Sequence, residues 1–322
     1  MRWCDNRCQC IRCKVRYRAW CICRSTCEKN IMTHPAIFVS SSCVNRRKIK
    51  DSVISLVEQG YRNIELSGGT HAYDQMEQDL VELKQKYNLR YRCHNYFPPP
   101  TRHFVLNLSA AESVERGIAI KHIKSAIELS ERLEADKLGI HAGFRLQPKV
   151  SELGQSINRS QLLDEAIAIQ LFVEAWQDLS QHAKIAGVEL YIENNVLSAV
   201  NYKTFAANPF LATDYTSIQH LLGLTQGRLL LDVAHLKVSC HSIGLDFAEQ
   251  LKALIQNSDY IHLSDNNGMA DTNKGLQSDS ELLDILSSAP LQGKTFTLEV
   301  YDGATSLSRS YQLIHSLLEQ QE

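Results

Sequence analysis

From Ala36 onward, short apolar runs alternate with amphipathic stretches, and the alternation repeats eight times. Ala36–Ser41 reads as a strand and Lys48–Gln59 as a helix, with Ile49, Val53, Leu56 and Val57 on one face and Gly60 as its stop. Arg62–Leu66 is a second strand, Tyr73–Tyr87 a helix, and Leu89–Asn95 a third strand leading into the stiff, donor-poor Phe97-Pro98-Pro99-Pro100. Ala111–Leu133 follows as a long helix whose apolar set is Val114, Ile118, Ile123, Ile127 and Leu133. Then come strand Asp136–His141, a Gly/Pro/Gln/Ser-rich loop to about Arg159, helix Gln161–Ala186 and strand Val188–Glu193. The loop at about 195–213 carries Tyr202, Phe205 and Phe210 and has the length of a lid. Helix Tyr215–Leu222, strand Arg228–Asp232, helix Leu245–Ile255, strand Asp259–Leu263, helix Ser280–Leu286, strand Thr295–Glu299 and helix Leu307–Leu318 complete the series.

Strict alternation without a hairpin signal predicts a parallel sheet. Leu229-Leu230-Leu231 agrees, because three apolar residues in a row suit a strand covered on both faces. Eight such units fit a closed (β/α)8 barrel of the α/β class better than an open sheet. No G-x-G-x-x-G follows the first strand and no P-loop occurs, so dinucleotide and nucleoside-triphosphate chemistry gain no support.

Composition changes the picture mainly at the N-terminus. Seven of the ten cysteines (Cys4, Cys8, Cys10, Cys13, Cys21, Cys23 and Cys27) fall before residue 32, with eight Lys+Arg against Asp5 and Glu28. One C-x-x-C pair, Cys10 and Cys13, lacks the second pair of a familiar zinc pattern. Residues 1–31 therefore read as an extension, disordered or not translated, with the catalytic barrel spanning 32–322. A chain beginning at Met32 should match the full chain in melting temperature and metal content. Loss of either on removing residues 1–31 would make the extension structural. The remainder carries 26 basic against 34 acidic residues, which disfavours a nucleic-acid footprint. No apolar run reaches membrane-spanning length and no secretory signal opens the chain, so a cytoplasmic protein is expected, with a homo-oligomer left open.

The candidate chemistry lies at the strand ends. The fifth strand runs into Glu193, the sixth into Asp232, the seventh into His262 and the eighth into Glu299. In a barrel these ends share one rim. Buried carboxylates need neutralising, and this oxygen-rich quartet suits Mn²⁺, Mg²⁺, Co²⁺ or Zn²⁺, with no thiolate to select zinc. An ion holding a carbonyl and a neighbouring hydroxyl would acidify the intervening C–H, and two carboxylates could remove and return that proton. Softer candidates are Glu65, which ends the second strand and could orient a substrate hydroxyl, and Arg145 and Lys237, which could bind an anionic group from rim loops. Ser67-Gly68-Gly69-Thr70 could cradle a phosphate, and Phe205 and Phe210 could stack on a sugar or anchor their loop.

With Tyr191-Ile192-Glu193-Asn194, Asp232-Val233-Ala234-His235, Ile261-His262-Leu263-Ser264-Asp265 and Leu298-Glu299-Val300, the chain from about Ala36 resembles the xylose isomerase-like barrels. These include ketose 3-epimerases, sugar isomerases, inosose dehydratases and the endonuclease IV class. The resemblance implies a metal-dependent sugar or sugar-phosphate isomerase or epimerase. Glu193, Asp232, His262 and Glu299 would be ligands, the two Glu also acid and base, and His235 a substrate contact. The alternative it implies is an apurinic endonuclease, in which His94, His141, His235 and Asp271 would add ligands for further ions. Otherwise His94 and His141 would bond substrate at the rim. That pattern departs at Asp271-Thr272-Asn273, where Asn stands in place of His. A third class is a barrel that binds a polyol without turnover, for which two bases are superfluous.

Overall fold

Eight parallel strands close on themselves in sequence order, β1-β2-β3-β4-β5-β6-β7-β8, with β8 paired back to β1. The structure is a computed structural model that describes residues 37–321. The expected extension 1–31 and the start at Met32 lie outside them. The strands are β1 Ile37–Ser40, β2 Asn63–Leu66, β3 Arg90–His94, β4 Lys137–His141, β5 Glu189–Glu193, β6 Arg228–Asp232, β7 Tyr260–Leu263 and β8 Thr295–Leu298. Ten α-helices stand among the described residues: α1 Ile49–Glu58, α2 Met76–Tyr87, α3 Ser113–Arg132, α4 Glu165–Ala186, α5 Ala199–Phe205, α6 Tyr215–Thr225, α7 Val233–Ile243, α8 Phe247–Ile255, α9 Glu281–Ser287 and α10 Ala304–Glu319. The fold is the expected (β/α)8 barrel. None of these helices is long and apolar enough to cross a membrane.

Two helices fall where no helix is expected. The stretch after β5 contains α5, started by the Ser198 side chain accepting from the Asn201 amide. Phe205 and Phe210 are buried with Leu146, Ile157 and Leu197, so they anchor this segment. Helix α7 begins directly at the end of β6. Asp232 closes the strand and caps the helix, its Oδ1 accepting from the His235 amide at 2.7 Å. A further correction concerns α3. Ile123, Ile127 and Leu133 are buried as expected, but Val114 is 73% and Ile118 47% exposed, because the first turns of the helix are not covered.

The strand period of two decides what enters the barrel. Interior side chains come in layers: Arg92 below His94, Tyr191 below Glu193, Leu230 below Asp232, Tyr260 below His262. The lower layers are a packed core. Tyr191, Leu230 and Tyr260 form one cluster. The Arg92 guanidinium lies 4.3 Å from the Phe38 ring centre and 4.7 Å from that of Tyr260, and donates to both carboxylate oxygens of Asp136 at 3.0 and 3.1 Å. At the entrance to the strands, Lys137 donates to Glu189 at 2.9 Å and to the Tyr191 hydroxyl, and lies 3.3 Å from Asp259.

Gly139 on β4 makes this packing possible. A Cβ there would come within 2.4 Å of Leu230 Cδ2 and 3.0 Å of His94 Cδ2. Gly139→Ala should therefore lower stability by about 1–3 kcal/mol, the usual cost of overpacking, read as a fall in the denaturation midpoint. An unchanged midpoint would show that Leu230 and His94 yield freely.

Candidate metal centre

Parallel register brings the strand-end residues level. His141 pairs with Glu193 across β4 and β5, and Asp232 with His262 across β6 and β7. Glu299 stands one residue past β8, its amide donating to the Leu263 carbonyl at 3.0 Å. The expected quartet of Glu193, Asp232, His262 and Glu299 is thus gathered at one rim, every member buried. Asp232, His262 and Glu299 offer three ligand atoms within 4.8 Å of one another, and so do Glu193, His94 and His262.

His262 organises the centre. Its Nε2 lies 2.9 Å from Glu65 Oε1, so Nδ1 is the nitrogen that faces the carboxylates, 3.7 Å from Glu193 and 3.6 Å from Glu299. Glu65 is itself held from across the barrel. Its Oε2 accepts from the Thr297 hydroxyl at 2.7 Å and from the Tyr260 hydroxyl. Glu65 therefore sits against the His262 imidazole. A carboxylate in this place would fix the ring if His262 held an ion.

Glu193 is shared between two groups of donors. Its Oε2 lies 2.7 Å from His94 Nε2 and 3.2 Å from His141 Nδ1. Asn194 braces the neighbouring strand, its Oδ1 accepting from the Asp232 amide at 2.8 Å and its Nδ2 donating to the Asp232 carbonyl at 2.9 Å. The Asn194 carbonyl lies 2.9 Å from His235 Nδ1 and so orients that ring. His235 Nε2 is 3.3 Å from Asp271 Oδ2. Asp271 is thus partnered with His235, whereas the groups that hold His94 and His141 are completed by Glu65, Glu193, His262, His235 and Glu299.

The electrostatics follow from burial and crowding. Burial pushes the Glu193 carboxyl up, but the imidazoles of His141, His94 and His262 outweigh it and hold it well below its ordinary range. Burial raises Asp232 to about 7, helped by the charges of Glu193 and Asp271 and opposed by His235. Burial would lower His262, but Glu65 and Glu299 raise it well above its usual value. Burial brings His141 down to about 4 despite Glu193. Glu65, pushed up by burial, is brought down to about 2 by His262.

Several buried polar atoms here lack a well-aligned hydrogen-bond partner: Glu65 Oε1, Glu193 Oε1, both ring nitrogens of His262, His141 Nδ1 and Asp271 Oδ1. Such orphans are costly unless something else satisfies them. Their convergence, and the carboxylate–imidazole donor set, fit a divalent ion.

Other candidates lie apart from this cluster. Arg145 is spent on tying loops, donating to the Leu163 carbonyl at 3.1 Å, the Asn208 carbonyl at 2.9 Å and Glu165 at 3.2 Å. Lys237 donates to Asp265 at 2.7 Å. Neither offers a free charge to an anionic group. In the Ser67–Thr70 turn the Ser67 amide already donates to the Ser41 hydroxyl, while Gly68 and Gly69 line the cavity over the cluster. Sequence reasoning missed Asn194, Tyr260 and Thr297. Asn194 adjoins Glu193, and Tyr260 and Thr297 lie two residues before His262 and Glu299, which a barrel's period of two would have marked.

A family model for a xylose isomerase-like TIM barrel matches residues 55–314. No curated protein sequence matches the chain. Among solved structures, a D-tagatose 3-epimerase-like protein is 16% identical with a TM-score of 0.65, over 89% of this chain and 98% of that one. D-allulose 3-epimerase from Methylomonas sp., in complex with D-allulose, is 12% identical with a TM-score of 0.58, over 89% and 93%. A family 2 AP endonuclease from Brucella melitensis is 12% identical with a TM-score of 0.60, over 86% and 97%. At these identities the likeness is one of fold.

Proposed function

We propose that this chain, which belongs to the xylose isomerase-like TIM-barrel family, is a divalent-metal-dependent isomerase or epimerase of a sugar or sugar phosphate. The observation that carries this reading is the pair of buried carboxylates, Glu193 and Glu299, near one imidazole nitrogen, His262 Nδ1, at 3.7 and 3.6 Å. Asp232, His262, Glu299 and Glu193 would hold the ion. When bound it polarises a carbonyl and its neighbouring hydroxyl and so makes the intervening C–H acidic.

The remaining work falls to the chain. Glu193, held in its ionised form beside His94 and His262, accepts the proton from carbon. Glu299 is the second carboxylate and returns a proton, to the same or the adjacent carbon. Glu65, Tyr260 and Thr297 keep His262 turned so that Nδ1 faces both carboxylates. His235, fixed by Asn194 and Asp271, bonds a substrate hydroxyl. Incubated with a ketose in heavy water, the metal-loaded protein should place deuterium on the carbon next to the carbonyl.

One observation favours a second reading. Glu193 Oε2 faces both His94 and His141, which would suit a second ion and the phosphodiester chemistry of apurinic endonucleases. Against it, the buried Asn273 offers an amide where that pattern calls for an imidazole, and its Nδ2 donates to the Ser264 hydroxyl at 3.3 Å.

A further inference from the structure

Two cavities meet at the cluster. One, of about 350 Å³, is lined by Glu193 and Glu299, by His94 and by the Ser67–Gly69 turn. The other, of about 490 Å³, lies beside it and shares the wall formed by Asn95, Tyr96, His141, His235 and Asp271. Both volumes suit small-molecule sites. The two differ in chemistry. Away from the shared wall, the second cavity is faced mainly by apolar side chains, among them Leu106, Phe144, Val200, Phe210 and Met269, with Gln155, Ser198 and Asn201 also lining it. Val200 and Met269, each 55% exposed, leave part of this apolar wall open to solvent.

Charge narrows the choice further. Among the described residues, no Lys or Arg lines either cavity. The second cavity's other carboxylate, Glu152, is engaged by the Lys149 amide at 2.7 Å and the Asn158 amide at 3.1 Å. A phosphate would meet Glu193, Asp271 and Glu299 with no Lys or Arg beside them, the imidazoles of His94 and His235 being already paired with Glu193 and Asp271. Asn95 lines both cavities, is 2% exposed, has a left-handed φ of 33°, and leaves its Oδ1 without a partner. A strained residue with an idle buried acceptor suits the anchoring of a neutral hydroxyl.

We infer that the second cavity is a subsite for an apolar substituent. The substrate is then a neutral ketose or polyol carrying an aryl or branched alkyl group, not a sugar phosphate. This rests on the metal-dependent reading above and specifies its substrate class.

Hydroxamates test the subsite without turnover. Acetohydroxamate and benzohydroxamate chelate a metal through the same two oxygens and differ only in the apolar group. Titrated into the full-length, Mn²⁺-loaded protein, benzohydroxamate should bind about tenfold or more tightly, from the area it buries. Phosphonoacetohydroxamate should bind no better than acetohydroxamate. Val200→Glu and Met269→Glu, at exposed positions and with unchanged melting temperature, should cut the benzohydroxamate preference severalfold. Equal affinities, or a preference that survives both variants, would overturn the subsite. Tighter binding of the phosphonate would overturn the neutral substrate. If neither simple hydroxamate binds, the inference fails together with the metal reading, whereas deuterium exchange alongside equal hydroxamate affinities leaves the metal reading standing and removes the subsite alone.

Discussion

Glu193→Gln and Glu299→Gln should each lose proton exchange by a factor of roughly 10²–10⁴, the usual contribution of a positioned acid or base. Glutamine keeps the size of the side chain and one oxygen that can still face an ion, but it cannot accept a proton at the working pH. Glu193 should show the larger loss of the two, because three imbalanced contacts converge on it: His94 at 2.7 Å, His141 at 3.2 Å and His262 at 3.7 Å. Its substitution removes both the base and the charge those rings face. Exchange rates followed by nuclear magnetic resonance, with metal content measured on the same samples, separate the two effects. Retained metal with lost exchange is expected for Glu299→Gln. Full exchange in either variant would remove that residue from the chemistry.

Asp232→Ala and His262→Ala should abolish tight metal binding while the barrel stays folded. Wild-type protein is expected to keep about one ion per chain after dialysis, with a second held more weakly through His94, His141 and Glu193. Both substitutions remove a donor from the group in which Asp232, His262 and Glu299 stand within 4.8 Å of one another. Without an ion, the variants should also lose the stabilisation that a ligand at 1,000 times its Kd gives, about 4 kcal/mol. Glu65→Gln is the graded control. It leaves all four donors and removes only the charge behind His262, so affinity should fall by about 10–100-fold, as for other outer partners of a ligating His. Elemental analysis and thermal melts with and without chelator read both quantities. Three zinc ions in the wild type would overturn the count and favour the nuclease chemistry.

The barrel was legible because its strands are short apolar runs and its helices mostly carry one apolar stripe. Helix α7 escaped for a physical reason. Val233, Ala234, Leu236, Val238 and Cys240 are all buried, so no polar face marks the period, and no linker separates the helix from β6. Val114 and Ile118 misled in the opposite way, fitting the apolar stripe of α3 yet lying exposed on its first turns. At the site, the quartet could be read because each residue ends a strand. Glu65 also ends a strand, but its partners come from β7 and β8 on the far side of the closure, and local sequence cannot say that Tyr260, Thr297 and His262 will surround it. Arg145 and Lys237 looked available because their partners, Leu163, Asn208 and Asp265, are distant in the chain.

The most direct measurement is incubation of the metal-loaded wild-type protein in heavy water with a broad panel of free, substituted and phosphorylated ketoses. Deuterium should appear on the carbon beside the carbonyl of at least one neutral member, and the signal should vanish with chelator. No exchange with any of them, together with metal-dependent cleavage of an abasic duplex, would contradict the isomerase chemistry proposed for Glu193 and Glu299.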